Sequence, residues 1–176
     1  MDAQESLNET GVLDTNDIFQ AAESLLLPTA GLFTYVEANR LDVQIHKEKL
    51  LAAVKAIIEA KWGHLSAITG LDYPPHQEDG KSIEGMIEAL YHFCNKAVIV
   101  TLRIRIPYND PTIPSICSIV PVATLYEREL MEMFGVEISG TPDPSRLLLP
   151  DDWPDGVYPL RKSFTGLPAN KPMEQT

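Results

Sequence analysis

The chain has 176 residues, of which 44% are hydrophobic, and a formal net charge of −11 at pH 7. This length suggests one domain with tails, and the hydrophobic fraction allows a sizeable core. The acidic balance argues against nucleic acid and anionic lipid as binding partners. No apolar run reaches 18 residues, so no membrane span is predicted. The two cysteines, Cys94 and Cys117, fit a reducing compartment.

The first half of the chain alternates between helical and strand patterns. Residues 1–14 carry acids and no base, which predicts a frayed tail. Leu41, Val43 and Ile45 alternate with polar residues, which is the pattern of a half-buried strand. The predicted elements are a short helix that ends at 26, strands over 32–37 and 41–46, a helix over 47–62 and a strand over 65–73.

The second half predicts a strand pair, a helix and a long tail. Residues 86–93 and 98–107 form the predicted antiparallel pair. In the second of these strands apolar residues point one way, and Arg103 and Arg105 point the other. The last helix is predicted over 121–134, with proline in its first turn. Seven of the 14 prolines lie after residue 140, which predicts an extended tail.

The predicted order is α-β-β-α-β-β-β-α, followed by an extended proline-rich C-terminal tail. Locally paired strands outnumber helices, which favours an α+β two-layer domain with a mixed β-sheet. The predicted organisation is an acidic tail over 1–14, a core domain over 15–135 and a partner-docking tail over 136–176.

The last helix contains an acid within its predicted apolar face. A helical wheel assigns this face to Val122, Leu125, Tyr126, Leu130 and Met133. Glu129 falls inside it, and a buried carboxylate needs a cation or hydrogen-bond donors. We therefore predict a structural ion pair for Glu129. The candidate partners are Arg103, Arg105 and Arg146. Arg128 and Glu132 lie four residues apart and are predicted to pair on the outer side.

The tail carries apolar and aromatic anchors. They are Leu147–Leu149, Trp153, Tyr158, Leu160 and Phe164. Such anchors on a proline-stiffened segment are typical of interface hot spots. For residues 147–153, docking on a partner and folding back on the domain are equal alternatives. For residues 158–164, we expect a partner.

The sequence lacks the common cofactor and nucleophile motifs. It contains no CxxC, no HExxH, no GxGxxG, no P-loop spacing and no GxSxG. His92 and Cys94 share one face of a strand, and we expect them to serve packing rather than metal binding. No cofactor, metal ligand or catalytic residue is therefore predicted in this chain. A free-standing enzyme that uses His92 and Cys94 is an alternative.

The last helix and the residues after it carry a spaced motif. It comprises Tyr126-Glu127-Arg128-Glu129, Glu132, Phe134-Gly135, Gly140 and Pro142-Asp143. With these residues the chain resembles the 30-kDa, or C-type, subunit of complex I and its relatives. Those relatives include F420H2 and plastoquinone dehydrogenases and energy-converting membrane-bound hydrogenases. The resemblance extends over residues 40–164.

Some residues depart from the usual pattern of that family. Thr141 stands where histidine is usual, and Ser145 stands near the place of a basic residue. Residues 148–153 and 158–162 are more similar to hydrogenase, F420H2-linked and photosynthetic members than to NADH-linked ones. The resemblance therefore favours an electron donor other than NADH.

The resemblance implies a cofactor-free structural subunit in the hydrophilic arm of a membrane-bound oxidoreductase, peripheral and on the cytoplasmic side. The implied partners are a large subunit, with a nickel-iron site or a quinone pocket, and iron–sulfur subunits. We expect structural or interface roles for Arg103, Arg105, Glu127, Arg128, Glu129, Arg146, Trp153, Tyr158, Arg161 and Lys162. Glu129→Ala is expected to weaken assembly rather than alter chemistry. The C-type subunit of NADH-quinone oxidoreductase proper and a stand-alone soluble adaptor are the alternatives.

Overall fold

The computed structural model describes residues 15–167. The expectations for 1–14 and 168–176 lie outside these residues. The helices are α1 (Thr15–Leu26), α2 (Leu50–Glu59, preceded by a 3₁₀ turn over Lys47–Lys49) and α3 (Ala123–Phe134). The strands are β1 (Ala30–Glu37), β2 (Arg40–Ile45), β3 (His64–Tyr73), β4 (His76–Glu78), β5 (Lys81–Ile83), β6 (Met86–Asn95), β7 (Val98–Pro107), β8 (Thr112–Pro114) and β9 (Glu137–Ser139).

Five strands form the main sheet, in the order β1-β2-β7-β6-β3. β2 and β7 are parallel, and the other neighbours are antiparallel. The prediction of an α+β domain with a mixed sheet is therefore confirmed. The predicted order lacked the three-residue strands β4, β5, β8 and β9, which form two small ladders. Three residues are too few to display an alternating pattern, so sequence periodicity does not reveal them.

The three helices pack against one face of the main sheet. The apolar side chains of β7 point into this layer, as predicted, and Leu50, Val54 and Ile57 of α2 meet them there without solvent exposure. The Trp62 indole donates a hydrogen bond to the carbonyl of Ile18 at 3.0 Å, which ties α1 to the end of α2. The opposite face of the sheet carries the polar residues of β7 and is not covered by any helix within residues 15–167.

The core continues past residue 135, where the predicted core domain ends. Val136 and Ile138 are buried, and β9 pairs in parallel with β8. The chain then runs from 140 to 167 without helix or strand. None of the helices in the described part of the chain is long and apolar enough to cross a membrane.

Gly70 of β3 allows α3 to lie close to the sheet. A Cβ atom at this position would lie 2.5 Å from the Phe134 ring. We expect Gly70→Ala to lower the free energy of unfolding by about 1–3 kcal/mol, because the overpacked helix or strand must shift. Urea denaturation measures this. Gly31→Ala is the matched control, since Gly31 also lies in a strand and its nearest neighbour would be 3.5 Å away. Equal stability of the two variants would show that the close approach of α3 to the sheet does not depend on Gly70.

Candidate docking surface on helix α3 and the C-terminal strap

Glu127 is fully buried on α3 and anchors the loop that precedes the helix. Its carboxylate accepts hydrogen bonds from the Ser115 hydroxyl at 2.7 Å, the Ile116 N–H at 2.7 Å and the Cys117 thiol at 3.1 Å. A buried carboxylate without such donors would be costly. The three donors therefore satisfy the charge and fix residues 115–117 to the helix.

The prediction that Glu129 is the buried acid is wrong, because Glu129 is exposed. The buried stripe of the helix consists of Ala123, Glu127, Leu130, Met133 and Phe134. Val122 and Leu125, which the wheel assigned to the buried face, are more than half exposed. The wheel was drawn from apolar residues alone. It could not include Glu127, whose burial depends on donors supplied by residues 115–117.

Cys117 and Tyr91 are buried close to this carboxylate. Burial raises the pKa of the Cys117 thiol, and its hydrogen bond to Glu127 raises it further. Burial also raises the pKa of Tyr91, and the charge of Glu127 adds to this effect. Both groups are therefore protonated at neutral pH. The protonated Cys117 thiol donates a hydrogen bond to Glu127.

The outer side of α3 binds residues 140–167, which we call the strap. Arg128 donates to the carbonyls of Ser145 at 2.8 Å and Arg146 at 2.5 Å. Glu132 accepts from the N–H groups of Leu147 at 2.6 Å and Leu148 at 2.9 Å. The predicted pair between Arg128 and Glu132 is therefore wrong. Each of these side chains binds the strap backbone, which has no strand partner of its own to satisfy these groups.

Arg128 also pairs with an acid of the strap, and Arg146 braces the strap internally. The Arg128 guanidinium lies 3.1 Å from the Asp143 carboxylate. Arg146 donates to the carbonyl of Pro150 at 2.9 Å and pairs with Asp155 at 2.9 Å. Arg146 is thus engaged within the strap and does not serve as the predicted partner of Glu129.

Aromatic contacts stabilise the middle of the strap. The Trp153 indole donates to the carbonyl of Val157 at 2.8 Å, and its ring centroid lies 6.0 Å from that of Phe164. These contacts join the two ends of a turn-rich segment. Trp153 is half-buried by them.

Arg161 fastens the far end of the strap to the domain. Its guanidinium lies 4.6 Å from the ring centroid of Tyr108 and 4.5 Å from that of Tyr158, and its Nε donates to the carbonyl of Phe134 at 2.7 Å. Tyr158 in turn covers Gly135, where an added Cβ atom would collide with its ring. The glycine also has a φ of +69°, which favours this residue type at the helix end.

Asp72 of β3 completes this attachment from the sheet. Its buried carboxylate accepts the N–H of Lys162 at 2.7 Å and the hydroxyl of Tyr108. Burial and the bond to Asp72 raise the pKa of Tyr108 to about 12, so its hydroxyl remains a donor. A partner was predicted for residues 158–164, but residues 158–162 of this segment bind their own domain.

Sequence reasoning missed Asp72, Tyr108 and Ser115 as members of the site. A signal for Asp72 was available, since it shares the core-facing register of β3 with Ile68 and Gly70. An acid on such a face needs a partner. No comparable local pattern marks the other two residues, because they become neighbours of the site only through the fold.

Arg103 lies on the opposite face of the sheet from α3. It pairs with Asp42 at 2.6 Å and with Glu88 at 2.5 Å, and both carboxylates are nearly buried. The predicted pairing of Arg103 or Arg105 with Glu129 is therefore wrong, because the sheet separates them. Arg105 is 61% exposed on this face.

The His92–Cys94 pair lies on this same open face. The imidazole of His92 forms hydrogen bonds with the hydroxyl groups of Thr69 at 2.9 Å and Thr101 at 3.0 Å. Burial lowers the pKa of His92, and the charge of Arg40 lowers it further, so the ring is neutral at pH 7. Across residues 15–167 no group of three His, Cys, Asp or Glu side chains converges in a way suited to a metal ion. That the chain binds no metal or cofactor stays a prediction.

The outer surface of the strap and of the start of α3 carries exposed apolar side chains among exposed acids such as Asp151 and Asp152. Leu149 packs against the core, whereas Leu148 is 59% exposed and Leu160 is 53% exposed. Val122, just before α3, and Leu125 within it are also exposed apolar residues. Several leucines of the strap therefore face outward, beside exposed acids such as Asp155.

The spaced motif on α3 is matched by a family model. The model described as respiratory-chain NADH dehydrogenase, 30 Kd subunit, matches residues 43–170. The chain belongs to this family. The matched segment includes the buried Glu127, the Arg128 and Glu132 contacts and the whole attachment of the strap.

Named relatives fit this membership. The chain is 36% identical to the C-type subunit of the F(420)H(2) dehydrogenase of Methanosarcina mazei over 110 residues, which are 61% of this chain and 64% of that protein. It is 42% identical to the beta subunit of the membrane-bound hydrogenase of Pyrococcus furiosus over 71 residues, which are 40% of this chain and 41% of that protein. The chain thus covers less than two thirds of either relative.

A solved structure extends the comparison to the fold. An archaeal membrane-bound sulfane sulfur reductase, described as a respiratory membrane complex, contains a chain that superposes with a TM-score of 0.68. The two chains are 25% identical, and the superposition covers 85% of this chain and 84% of the other.

The buried Glu127 generates the first prediction for this site. We expect Glu127→Gln to lower the free energy of unfolding by about 1.5–3 kcal/mol. The amide carries no charge, and its NH₂ group would face the donors of residues 115–117 instead of accepting from them. Chemical denaturation measures the change. Glu129→Gln makes the same substitution two residues away on the exposed side, and it should alter stability by no more than about 0.5 kcal/mol. If both variants unfold alike, Glu127 does not carry the loop contact.

Arg161 generates the second prediction. Lysine keeps the charge but lacks the planar group that stacks between two tyrosines. We expect Arg161→Lys to speed hydrogen exchange about tenfold at the amides of Leu160 and Lys162, which bind the domain. The Leu147 amide, held by Glu132, should not change. Arg105→Lys on the other face is the control. Uniform acceleration along the whole strap would show that Arg161 does not act locally.

Proposed function

We propose that the chain is a cofactor-free structural subunit in the hydrophilic arm of a membrane-bound, complex I-related oxidoreductase. It docks the large subunit through α3 and the strap, and it lies on the cytoplasmic side of the membrane. Redox centres, whether iron–sulfur clusters, a nickel-iron site or a quinone pocket, belong to its partners. In this role the chain supplies no catalytic residue.

The strap is the single observation that carries the docking role. It has no helix or strand, yet Arg128, Glu132 and Asp72 hold its backbone, and its own Arg161 donates to the carbonyl of Phe134. A segment fixed in this way loses little conformational entropy when it binds a partner. Its outward leucines then provide apolar area for the contact.

Membership of the family supports the type of complex. The matched relatives are named as subunits of an F420H2 dehydrogenase and of a membrane-bound hydrogenase, and the structural neighbour comes from a respiratory membrane complex. A second candidate is the C-type subunit of an NADH-quinone oxidoreductase, which the description of the family favours. The two candidates differ in the electron donor and acceptor, and these are determined by other chains.

The outward leucines generate the test of the docking role. In the native complex, purified through a tag on this chain, we expect Leu148→Asp to reduce the recovered large subunit about tenfold, since a charge enters a buried apolar contact. The melting temperature of the isolated chain should not change, because the side chain is exposed. Leu51→Asp on α2 is the control, as Leu51 is also exposed at 38%.

Two outcomes would contradict this proposal. A Leu148→Asp complex that assembles fully but turns over slowly would place the strap near the chemistry. A stoichiometric metal in the isolated wild-type chain would revive the free-standing enzyme that uses His92 and Cys94.

A further inference from the structure

The sheet face opposite the helices contains a groove in two parts. One depression, of about 500 Å³, has apolar walls formed by Leu32 and Val36 on one side and by Tyr73 and Ile83 on the other. A second depression, of about 530 Å³, extends toward the 3₁₀ turn before α2. Both are lined by Leu32, Gln44 and Arg105, so they adjoin one another, and Arg105 lies at their junction.

Arg105 has only one, long ion pair among residues 15–167. The pair is with Glu88, at 3.9 Å. The Glu88 carboxylate is already bound by Arg103 at 2.5 and 3.1 Å and by the Tyr73 hydroxyl at 3.2 Å. Arg103, by contrast, has two carboxylates close by. The exposed guanidinium of Arg105 therefore offers donors to a carboxylate from outside the chain.

A second cation borders the groove. The Lys162 ammonium lies 5.7 Å from the ring centroid of Tyr73, which forms one wall. Lys47, which lines the far depression, is already paired with Asp110 and is therefore not available to a partner. The near depression also has an acid, Glu84, in its lining. Glu48 also lines the far depression, so Arg105 at the junction and Lys162 beside Tyr73 are the cations here that an acidic group of a partner can bind.

The strand beside the groove, β1, has no strand partner on its outer side among residues 15–167. β1 ends the main sheet and exposes Leu32 and Val36 toward the groove, whereas Tyr35 lies on the helical side and its hydroxyl donates to Glu23 of α1. The sequence of β1, AGLFTYVE, has a single charge at its end. The other edge strand, β3, is packed against α3, where the Tyr126 hydroxyl binds the carbonyl of Ser66. Exposed apolar edges are normally covered or charged, so β1 has the properties of a strand that a partner covers.

We propose that this groove seats an extended segment of another subunit, with apolar side chains in the two depressions and an Asp or Glu that binds Arg105. Apolar walls on both sides of a central cation select such a segment over a uniformly acidic one. The inference shares with the proposed function the premise that the chain works inside a complex. It concerns a different face of the domain, so the strap and the groove can be tested separately.

Site-specific cross-linking in the purified native complex tests the occupant. We expect a photoreactive benzoylphenylalanine in place of Val36 to cross-link to a peptide of another identified subunit of the complex. Mass spectrometry should place an Asp or Glu within a few residues of the linked position. The same group in place of Leu51, on the helical side of the domain, is the control and should not label that peptide.

Charge variants test the role of Arg105 in the same assay. Arg105→Glu should lower the cross-link yield about tenfold, and Arg105→Lys should retain most of it, because only the first reverses the charge. Lys55→Glu is the matched control, since Lys55 is also 61% exposed but lies on α2. Unchanged melting temperatures of the isolated chains would exclude misfolding as the cause.

Several outcomes would overturn the inference. A cross-link to residues 1–14 of the same chain, a cross-link to a second copy, or the absence of any cross-link in the intact complex would each do so. An Arg105→Glu variant with full yield would remove the role of the carboxylate. If the Val36 cross-link forms while Leu148→Asp leaves assembly intact, only the strap proposal fails. If Leu148→Asp prevents assembly while wild-type complexes give no Val36 cross-link, only the groove proposal fails.

Discussion

The buried carboxylate of Glu127 joins α3 to the loop over residues 115–117, and the attachment of the strap depends on this contact. It fixes residues 115–117 to α3 through three donors, and this contact determines which way the helix is rotated. With Glu127 inward, Arg128 and Glu132 point toward the strap and Glu129 points to solvent. The charged residues of this helix therefore have three different roles. Glu127 is buried, Arg128 and Glu132 bind the strap, and Glu129 is exposed to solvent. If the helix were rotated to bury Glu129, as the apolar wheel suggested, Arg128 and Glu132 would no longer point toward the strap.

The strap illustrates how an aperiodic, proline-rich segment becomes ordered. Backbone N–H and C=O groups near a protein surface require partners, and a helix or sheet usually provides them. Here side chains provide them instead: Arg128 and Arg146 bind carbonyls, and Glu132 and Asp72 bind N–H groups. Hydrogen bonds to charged groups are each worth about 1.5–3 kcal/mol, roughly twice a neutral one. Charged side chains can therefore hold residues 140–167 in one conformation without a helix or a strand.

The domain has two faces with different properties. The helical face is closed by the core and by the strap, so partner contacts there depend on side chains that the strap presents outward. The other face of the sheet has no helix over it within residues 15–167, and it combines a buried Asp42–Arg103–Glu88 cluster with an exposed arginine. The cluster contains two carboxylates and one guanidinium, and Arg40 adds a second cation 3.5 Å from Asp42, whereas Arg105 has only a long contact of 3.9 Å with Glu88.

The amino-acid sequence by itself determined the fold class, most of the longer elements and the family. The alternation of β7 and the helical spacing of α2 are strong because many residues repeat one period. The motif on α3 was also readable, since it joins several spaced segments. Tertiary structure decided which acid is buried, what Arg103 pairs with and where residues 158–162 lie. These depend on donors from residues 115–117, on the sheet that separates Arg103 from α3, and on Asp72 located 90 residues before its partner Lys162. Local periodicity reports which face a residue occupies, but only the folded chain determines which distant groups meet it.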